Sequence, residues 1–350
     1  MTDRSAVDQL DEQLLADYLT QHVEGFEGPV TATKFAGGQS NPTFKLTTPK
    51  QSYVLRRQPP GKLLKSAHAV DREYKVLAAL KDTHVPVAKV YHLCEDPSLI
   101  GSMFYIMEYV KGRVFWDSAV PEVSDNKIRG QMYQEMVEVM AALHSVDIEK
   151  VGLSDYGKPG NYYVRQFSRW SKQYKLSETQ DIPEMDQLIA WLEKHLPEDD
   201  GKVSLVHGDY RMDNLMFHAT EPKVLAVLDW ELSTLGHPYA DLAYQCMQLR
   251  LPENVGKATG LGGIERAPLG IPEEQEYVDA YCKLVGIEKI DNWNFYLAFS
   301  FFRLGAIAQG VAKRDEEGNA SNKEAQGVGA IVKPLAQYAL KLTKEAVLKK

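Results

Sequence analysis

Three polar side chains in one short window carry the chemistry of this chain. From Val206 the sequence runs V-H-G-D-Y-R-M-D-N-L-M-F, and from Val224 it runs V-L-A-V-L-D-W-E, which places Asp209, Asn214 and Asp229 close together in sequence. An acid, an amide five residues later and a second acid fifteen residues after that form a working set for phosphoryl transfer. One carboxylate can orient or accept a hydroxyl proton. The amide oxygen and the second carboxylate can hold Mg²⁺ on nucleotide phosphates. Asp, Asn and Gly are also ordinary turn residues, so the joint spacing and the flanking strands carry the reading.

Those strands are legible in the hydrophobic pattern. Residues 203–206 form a short apolar run ending at His207, and residues 224–228 form another ending at Asp229. Together they read as a hairpin-like pair whose intervening loop bears Asp209 and Asn214.

H-G-D-x-x-x-x-N followed by L-D-W-E resembles the catalytic segment of the aminoglycoside phosphotransferase and choline kinase-like family, which is similar to the protein kinases. The resemblance implies an α+β, protein kinase-like two-lobed fold: a small antiparallel β-sheet N-lobe over residues 1–110 and a mainly helical C-lobe over 111–350. It makes Asp209 the catalytic base, Asn214 and Asp229 the Mg²⁺ ligands, and His207 a brace for the loop. Glu231 becomes a further contact to metal-bound water. ATP and Mg²⁺ are the implied cofactors.

The same resemblance assigns the N-lobe. Y-V-L-R ends in Arg56 where a kinase strand ends in lysine. A guanidinium grips phosphate through two donors, whereas an ammonium acts as a point charge. Arg57, one residue on, points to the opposite face of the strand. Glu73, on the helix expected over residues 67–81, is the candidate partner of Arg56. Gly37, Gly38, Ser40 and Asn41 form a loop suited to nucleotide phosphates. Backbone groups near Glu108 and Val110 would meet the adenine edge, with Met107 beside them.

Longer phrases narrow the likeness. Y-V-L-R-R-Q-P-P-G-K, S-A-H-A-V-D-R-E-Y, R-Q-F-S-R-W-S-K-Q-Y and F-F-R-L-G-A-I-A-Q-G-V resemble the phosphotransferase domains fused to, or encoded beside, acyl-CoA dehydrogenases. A functional link to such a dehydrogenase follows from that resemblance.

The remaining pattern supplies the scaffold. Strands are expected over 30–35, 43–47, 52–56, 88–94 and 103–109, and a helix over 10–22. Val70, Tyr74, Leu77 and Leu80 mark the inner face of the helix bearing Glu73. Ile128, Met132, Met136, Met140 and Leu143 mark a core stripe on a helix over 125–146. Residues 155–200 are rich in aromatics and carry Arg165, Arg169 and Lys172, candidates to receive an anionic acceptor group. G-H-P-Y-A-D-L-A resembles the same family's G-x-P-x-x-D-L-A sequence, which implies that Asp241 starts or braces a helix and supports the catalytic loop through hydrogen bonds. Residues 253–272, rich in glycine, read as a mobile loop. Arg303 interrupts an apolar helix over 293–312 and demands a partner. A closing helix follows over 328–349.

Composition sets limits. Forty Lys and Arg against 48 Asp and Glu leave a net charge of −8, which argues against general nucleic-acid binding and against a basic membrane-binding face. Three dispersed cysteines suit a reducing, cytoplasmic setting. The first residues lack the apolar core of a secretory signal, and no membrane span is expected. The activity so expected is ATP- and Mg²⁺-dependent phosphorylation of a hydroxyl on a small metabolite, a hydroxyacyl-CoA or a hydroxy acid. Two alternatives stay open: a kinase of aminoglycosides or other small molecules, and a nucleotide-binding pseudokinase with a regulatory role.

Overall fold

The computed structural model describes residues 10–35, 41–59, 68–252, 260–318 and 327–348. The chain divides into two compact units. One comprises Met1–Gly112 with Leu225–Glu231; the other comprises Arg113–Val224 with Leu232–Lys350.

The first unit is built on a five-stranded antiparallel sheet. Its strands are β1 (Thr31–Lys34), β2 (Thr43–Thr47), β3 (Ser52–Arg57), β4 (Val90–Cys94) and β5 (Phe104–Glu108), in the order β1-β2-β3-β5-β4. Period-two alternation explains the faces. Phe44, Leu46, Tyr53 and Leu55 are buried, whereas the intervening Lys45 is only half buried, its ammonium 4.5 Å from the centre of the Tyr109 ring. Helix α1 (Glu12–His22) begins where Asp11 accepts the Leu14 N–H at 2.9 Å, an N-cap bond, and it buries Leu15 and Leu19 in the same core. Helix α2 (Val70–Leu80) buries Val70, Glu73, Val76, Leu77 and Leu80. Glu73 therefore sits on the inner face, and Tyr74 is only half buried, its ring meeting Tyr105 edge-on.

The second unit is mainly helical. Helix α3 (Asn126–His144) is capped by Asp125, and its Met132, Met136, Met140 and Leu143 are core residues at no more than 1% exposure. Helices α4 (Tyr162–Ser177), α5 (Pro183–Lys194), α6 (Tyr239–Arg250), α7 (Glu274–Val285), α8 (Trp293–Glu316) and α9 (Val332–Leu348) complete it. Helix α8 packs against α4, α5, α6 and α9. It is long and apolar enough to cross a membrane, and 78% of its apolar window is buried inside the fold. An all-round apolar helix suits that central position.

Two elements differ from the sequence reading. The apolar run at 203–206 does not form a hairpin with 224–228. Strand β6 (Ser204–Val206) instead pairs antiparallel with β9 (Thr234–Gly236), with Leu205 opposite Leu235. Between them lie β7 (Leu215–Phe217) and β8 (Val224–Val227), and Phe217 exchanges backbone hydrogen bonds with Arg113 at 2.7 and 2.8 Å. Hydrophobic runs announce strands but not their partners. The loop expected over 253–272 is also replaced in part by packed structure. Residues 253–259 lie outside the described residues. Beyond them, Gly270 has φ 73°, and a Cβ there would meet the Asn126 carbonyl at 2.1 Å. Arg129 donates to the Leu269 carbonyl at 2.8 Å, so this glycine-rich stretch closes against α3.

The strand that carries Arg56 depends on its neighbour Leu55, which is fully buried. Leu55→Ala should cost about 2–5 kcal/mol. Urea denaturation should show a lower midpoint with an unchanged slope.

Candidate active site

The site in the second unit starts from β6, whose three residues are all buried. The chain then turns through His207 and Gly208. Gly208 has φ 84°, and a Cβ there would lie 2.6 Å from the Leu232 carbonyl oxygen. Both the conformation and the close approach require glycine. The two successive N–H groups of His207 and Gly208 donate to the Asp241 carboxylate, at 2.6 and 2.8 Å. Asp241 is fully buried in the first turn of α6, where the helix dipole favours a negative charge. Burial alone would raise its carboxyl. The His144 contact at 3.3 Å and the His207 backbone bond overcome burial and hold it below the usual carboxylate range. The brace expected of Asp241 is thus present, and it acts on the backbone.

Asp209 follows. Its N–H donates to His207 Nδ1 at 3.2 Å. Asn214, at the end of a 3₁₀ turn over Met212–Asn214, donates its Nδ2 to the Asp209 carbonyl at 2.8 Å and to Oδ2 at 3.0 Å. Arg211 Nε lies 3.2 Å from Oδ1, and the Asp209 side chain keeps 20% exposure. Tyr244, on α6, lies within hydrogen-bonding reach; burial first, then the Asp209 charge, pushes its hydroxyl well above the ordinary value, so it stays a donor. Tyr210 anchors the loop from below by donating to the Met136 carbonyl at 2.7 Å. With Nδ2 turned onto Asp209, Asn214 presents its oxygen elsewhere. An amide oxygen and carboxylates fit a hard cation such as Mg²⁺. Among the described residues no group of three or more His, Cys, Asp or Glu could hold a metal, so a closed zinc-type cage is not formed there.

The first unit holds the other set. Arg56 Nε lies 2.8 Å from Glu73 Oε2, and Nη2 lies 2.7 Å from Asp229 Oδ1. Burial would lower the Arg56 pKa; Glu73 above all, then Tyr105, Asp229 and Glu231, raise it, so the guanidinium stays charged. Glu73 is 2% exposed and saturated, accepting also from Asn41 Nδ2 at 2.7 Å and from the Tyr105 hydroxyl at 3.1 Å. Asn41 is itself buried, and its amide oxygen contacts His68 Nδ1 at 3.1 Å. Its side chain therefore braces Glu73. Asp229 is held at φ 60°, a costly backbone region for a non-glycine residue, with its side chain 38% exposed. The Trp230 indole N–H bonds the Val227 carbonyl at 2.9 Å and closes this turn.

Other sequence candidates fall as follows. Gly37, Gly38 and Ser40 lie outside the described residues. Glu108 ends β5, and its N–H donates to the Lys89 carbonyl at 2.8 Å; Val110 follows, half buried. Arg57 points to the far face, donating to the Ile100 carbonyl at 3.1 Å. In the second unit, Arg165 donates to the carbonyls of Lys158 and Pro159, at 2.6 and 3.4 Å, while Arg169 and Lys172 are exposed. The partner that Arg303 demanded is the Gly208 carbonyl, at 2.5 Å. Tyr105, Tyr244 and His144 were missed. Tyr244 follows Asp241 by one helical turn, a spacing that put it within reach of sequence reasoning.

Asp241 yields a stability test. A folded carboxyl held below its unfolded value, about 3.9, stabilises the fold above that pH and loses the contribution as pH falls through the lowered value. Asp241→Asn should cost roughly 3 kcal/mol at pH 7 by urea denaturation. The gap from wild type should shrink below about pH 4.

Residues 31–276 match the family model described as the phosphotransferase enzyme family. Acyl-CoA dehydrogenase family member 10 of Mus musculus is 45% identical over 328 residues, covering 92% of this chain but only 30% of that protein. The chain thus spans under a third of that relative's length. The crystal structure of a Ralstonia eutropha JMP134 protein, provisionally named an aminoglycoside phosphotransferase, is 51% identical with a TM-score of 0.88, over 96% of this chain and 99% of that one. Choline kinase from Cryptosporidium parvum, at 11% identity and a TM-score of 0.67 over 97% of each chain, shares the fold. With its small antiparallel sheet unit, its mainly helical unit and a family match over most of its length, the chain belongs to the phosphotransferase enzyme family and has a kinase-like α+β fold.

Proposed function

We propose that this phosphotransferase transfers the γ-phosphoryl group of ATP, with Mg²⁺, to a hydroxyl of a small metabolite, a hydroxy acid or a hydroxyacyl-CoA. The observation that carries the reading is Asp209: a carboxylate fixed by Asn214 and the His207 loop, yet partly open to solvent. Asp209 orients the acceptor hydroxyl and receives its proton. Asn214 and Asp229 hold the metal, which neutralises phosphate charge when bound. Arg56, kept in place by Glu73, grips phosphate oxygens through its two-donor fork. Gly37, Gly38, Ser40 and Asn41 serve the phosphates as a loop, and the backbone near Glu108 and Val110 serves the adenine. Residues 1–110 form the nucleotide lobe, and 111–350 the catalytic and acceptor lobe. The chain's work is alignment and charge stabilisation.

The acceptor class rests on the mouse relative, whose name, an acyl-CoA dehydrogenase family member, supports a link to acyl metabolism. The provisional name of the Ralstonia protein supports the other small-molecule reading, an aminoglycoside kinase. The complete acid–amide–acid set weighs against a pseudokinase, which needs no such set. Three buried free cysteines suit a reducing cytoplasm.

Two variants test the roles. Asp209→Asn should lower transfer by about 10²–10⁴-fold while Mg-ATP still binds. Asp229→Ala in a folded protein should abolish Mg²⁺-dependent ATP turnover; wild-type turnover would overturn its assignment. A screen with γ-labelled ATP against hydroxyacyl-CoAs, hydroxy acids, sugars, choline and aminoglycosides identifies the acceptor. Nucleotide binding without transfer to any of them would favour a regulatory protein.

A further inference from the structure

We infer that Arg303 reads the acceptor, binding an acyl oxygen carried on the same small molecule as the reacting hydroxyl, with Trp170 and Tyr244 as the walls of its site. This rests on the phosphotransferase reading and narrows it.

Arg303 lies within α8, the apolar central helix, at 9% exposure. A buried arginine normally has a carboxylate partner, because an unanswered buried charge is costly. More exposed arginines here pair with carboxylates, Arg250 with Glu274, Arg266 with Glu273 and Arg211 with Asp209 and Asp213; the buried Arg129 is answered instead by a neutral acceptor on each of its three nitrogens, the Leu269 and Val123 carbonyls and the Asn126 amide oxygen. Among the described residues no carboxylate lies within ion-pair distance of Arg303. Its hydrogen bond goes to a neutral acceptor, the Gly208 carbonyl, through Nη2. Its other nitrogens are not among the sealed, unpaired buried atoms, whereas two nitrogens of Arg266 are. The rest of the guanidinium therefore meets accessible space, with donors to offer.

The place of that guanidinium gives the chemistry. Gly208 immediately precedes Asp209, so the charge sits one residue from the acid proposed to take the hydroxyl proton. The Tyr244 ring lies 5.0 Å from the guanidinium carbon and the Trp170 ring 5.8 Å. Flat aromatic faces order a planar guanidinium without neutralising it. Arg169 reaches the same indole at 5.2 Å, adding a second positive charge on the solvent side. Burial raises the neighbouring Tyr162 hydroxyl above its ordinary value; Arg303, and more weakly Arg165 and Arg169, pull against that rise, while Asp241 adds to it. An electron-rich oxygen held here places the rest of a short molecule beside Asp209. A carboxylate of a hydroxy acid and a thioester carbonyl of a hydroxyacyl-CoA offer that same oxygen. A cationic amine does not.

The experiment compares 3-hydroxybutyrate and 4-hydroxybutyrate, free and as CoA thioesters, with 1,3-butanediol and 1,4-butanediol, which keep a hydroxyl and lack the acyl oxygen. Wild type, Arg303→Gln and Arg303→Lys are assayed for kcat/KM, with Mg-ATP binding and thermal melting as controls on the fold. Wild type should prefer an acyl acceptor to its diol by on the order of 100-fold. Arg303→Gln should collapse that ratio to about two-fold, chiefly through KM, and Arg303→Lys should restore part of it. The better of the free acid and the thioester names the source of the oxygen. If Arg303 only supported Gly208, acid and diol would fall together and the ratio would not move, which would overturn the inference. A wild type that ignores the acyl oxygen, or that phosphorylates only sugars, choline or aminoglycosides, would also overturn it while the phosphotransferase reading stands. No transfer to any acceptor, with Mg-ATP bound, would overturn both.

Discussion

One buried carboxylate governs the geometry of the loop that carries Asp209. Asp241 accepts two consecutive backbone N–H groups, from His207 and Gly208, and so fixes the peptide plane that precedes Asp209. Burying a carboxylate is expensive unless its lone pairs are answered. Here they are answered by those two donors, by His144 and by the first turn of α6. The rest of the loop follows from that anchor. Gly208 must take a positive φ because its N–H is pulled toward Asp241 while its Cα faces the Leu232 carbonyl. Its own carbonyl then projects to Arg303. The chain leaves with Asp209 aimed away from the core and held by Asn214.

In the sheet unit the corresponding constraint is the charge of Arg56. One guanidinium satisfies Glu73 through Nε and Asp229 through Nη2. A lysine presents a single point charge and no such fork. That difference gives the departure from the kinase pattern a physical meaning. Asp229 sits in a strained backbone conformation, and Arg56 neutralises one of its oxygens. On the proposed function, nucleotide phosphates compete with Asp229 for the guanidinium, and the metal competes with Arg56 for Asp229. On that reading phosphate and metal would favour each other's binding, since each would take one member of the Arg56–Asp229 pair. Glu73 limits the movement, because Asn41 and Tyr105 hold it from two further directions.

Local patterns carried most of what the sequence disclosed. The 209–214–229 spacing is a matter of residue type and chain distance, and helical periodicity exposed the methionine stripe of α3. The Arg56–Glu73 pair followed from the resemblance to the kinase strand and helix, which local pattern placed in the right order. What escaped was set by contacts remote in sequence. The partner of β6 lies beyond both neighbouring strands, and no hydrophobic run specifies that choice. Asn41 has the composition of a phosphate loop, but its side chain went to a glutamate on α2. Residues 260–272 have the composition of a mobile loop, yet Gly270 makes a backbone approach to α3 that only glycine permits. Arg303 announced itself as an anomaly in an apolar helix; its partner, a backbone carbonyl, has no signature in residue type.

That anomaly also shows why net charge says little about the acceptor. The chain carries −8 overall, which taken alone suggests repulsion of anions. In physiological salt, surface charges more than about 8 Å away are largely screened. A buried guanidinium acts through a medium of lower dielectric, where the same charge counts for several times more. Close to the loop, Arg211 lies 3.2 Å from Asp209 and Arg303 holds the adjoining Gly208 carbonyl, so nearby positive groups count for more there than the distant acidic surface. An acidic protein can in this way hold a cationic acceptor site. On the inference drawn for Arg303, the charge that selects the acceptor resides in the same helix that forms the hydrophobic centre of the unit, so specificity and stability share one structural element.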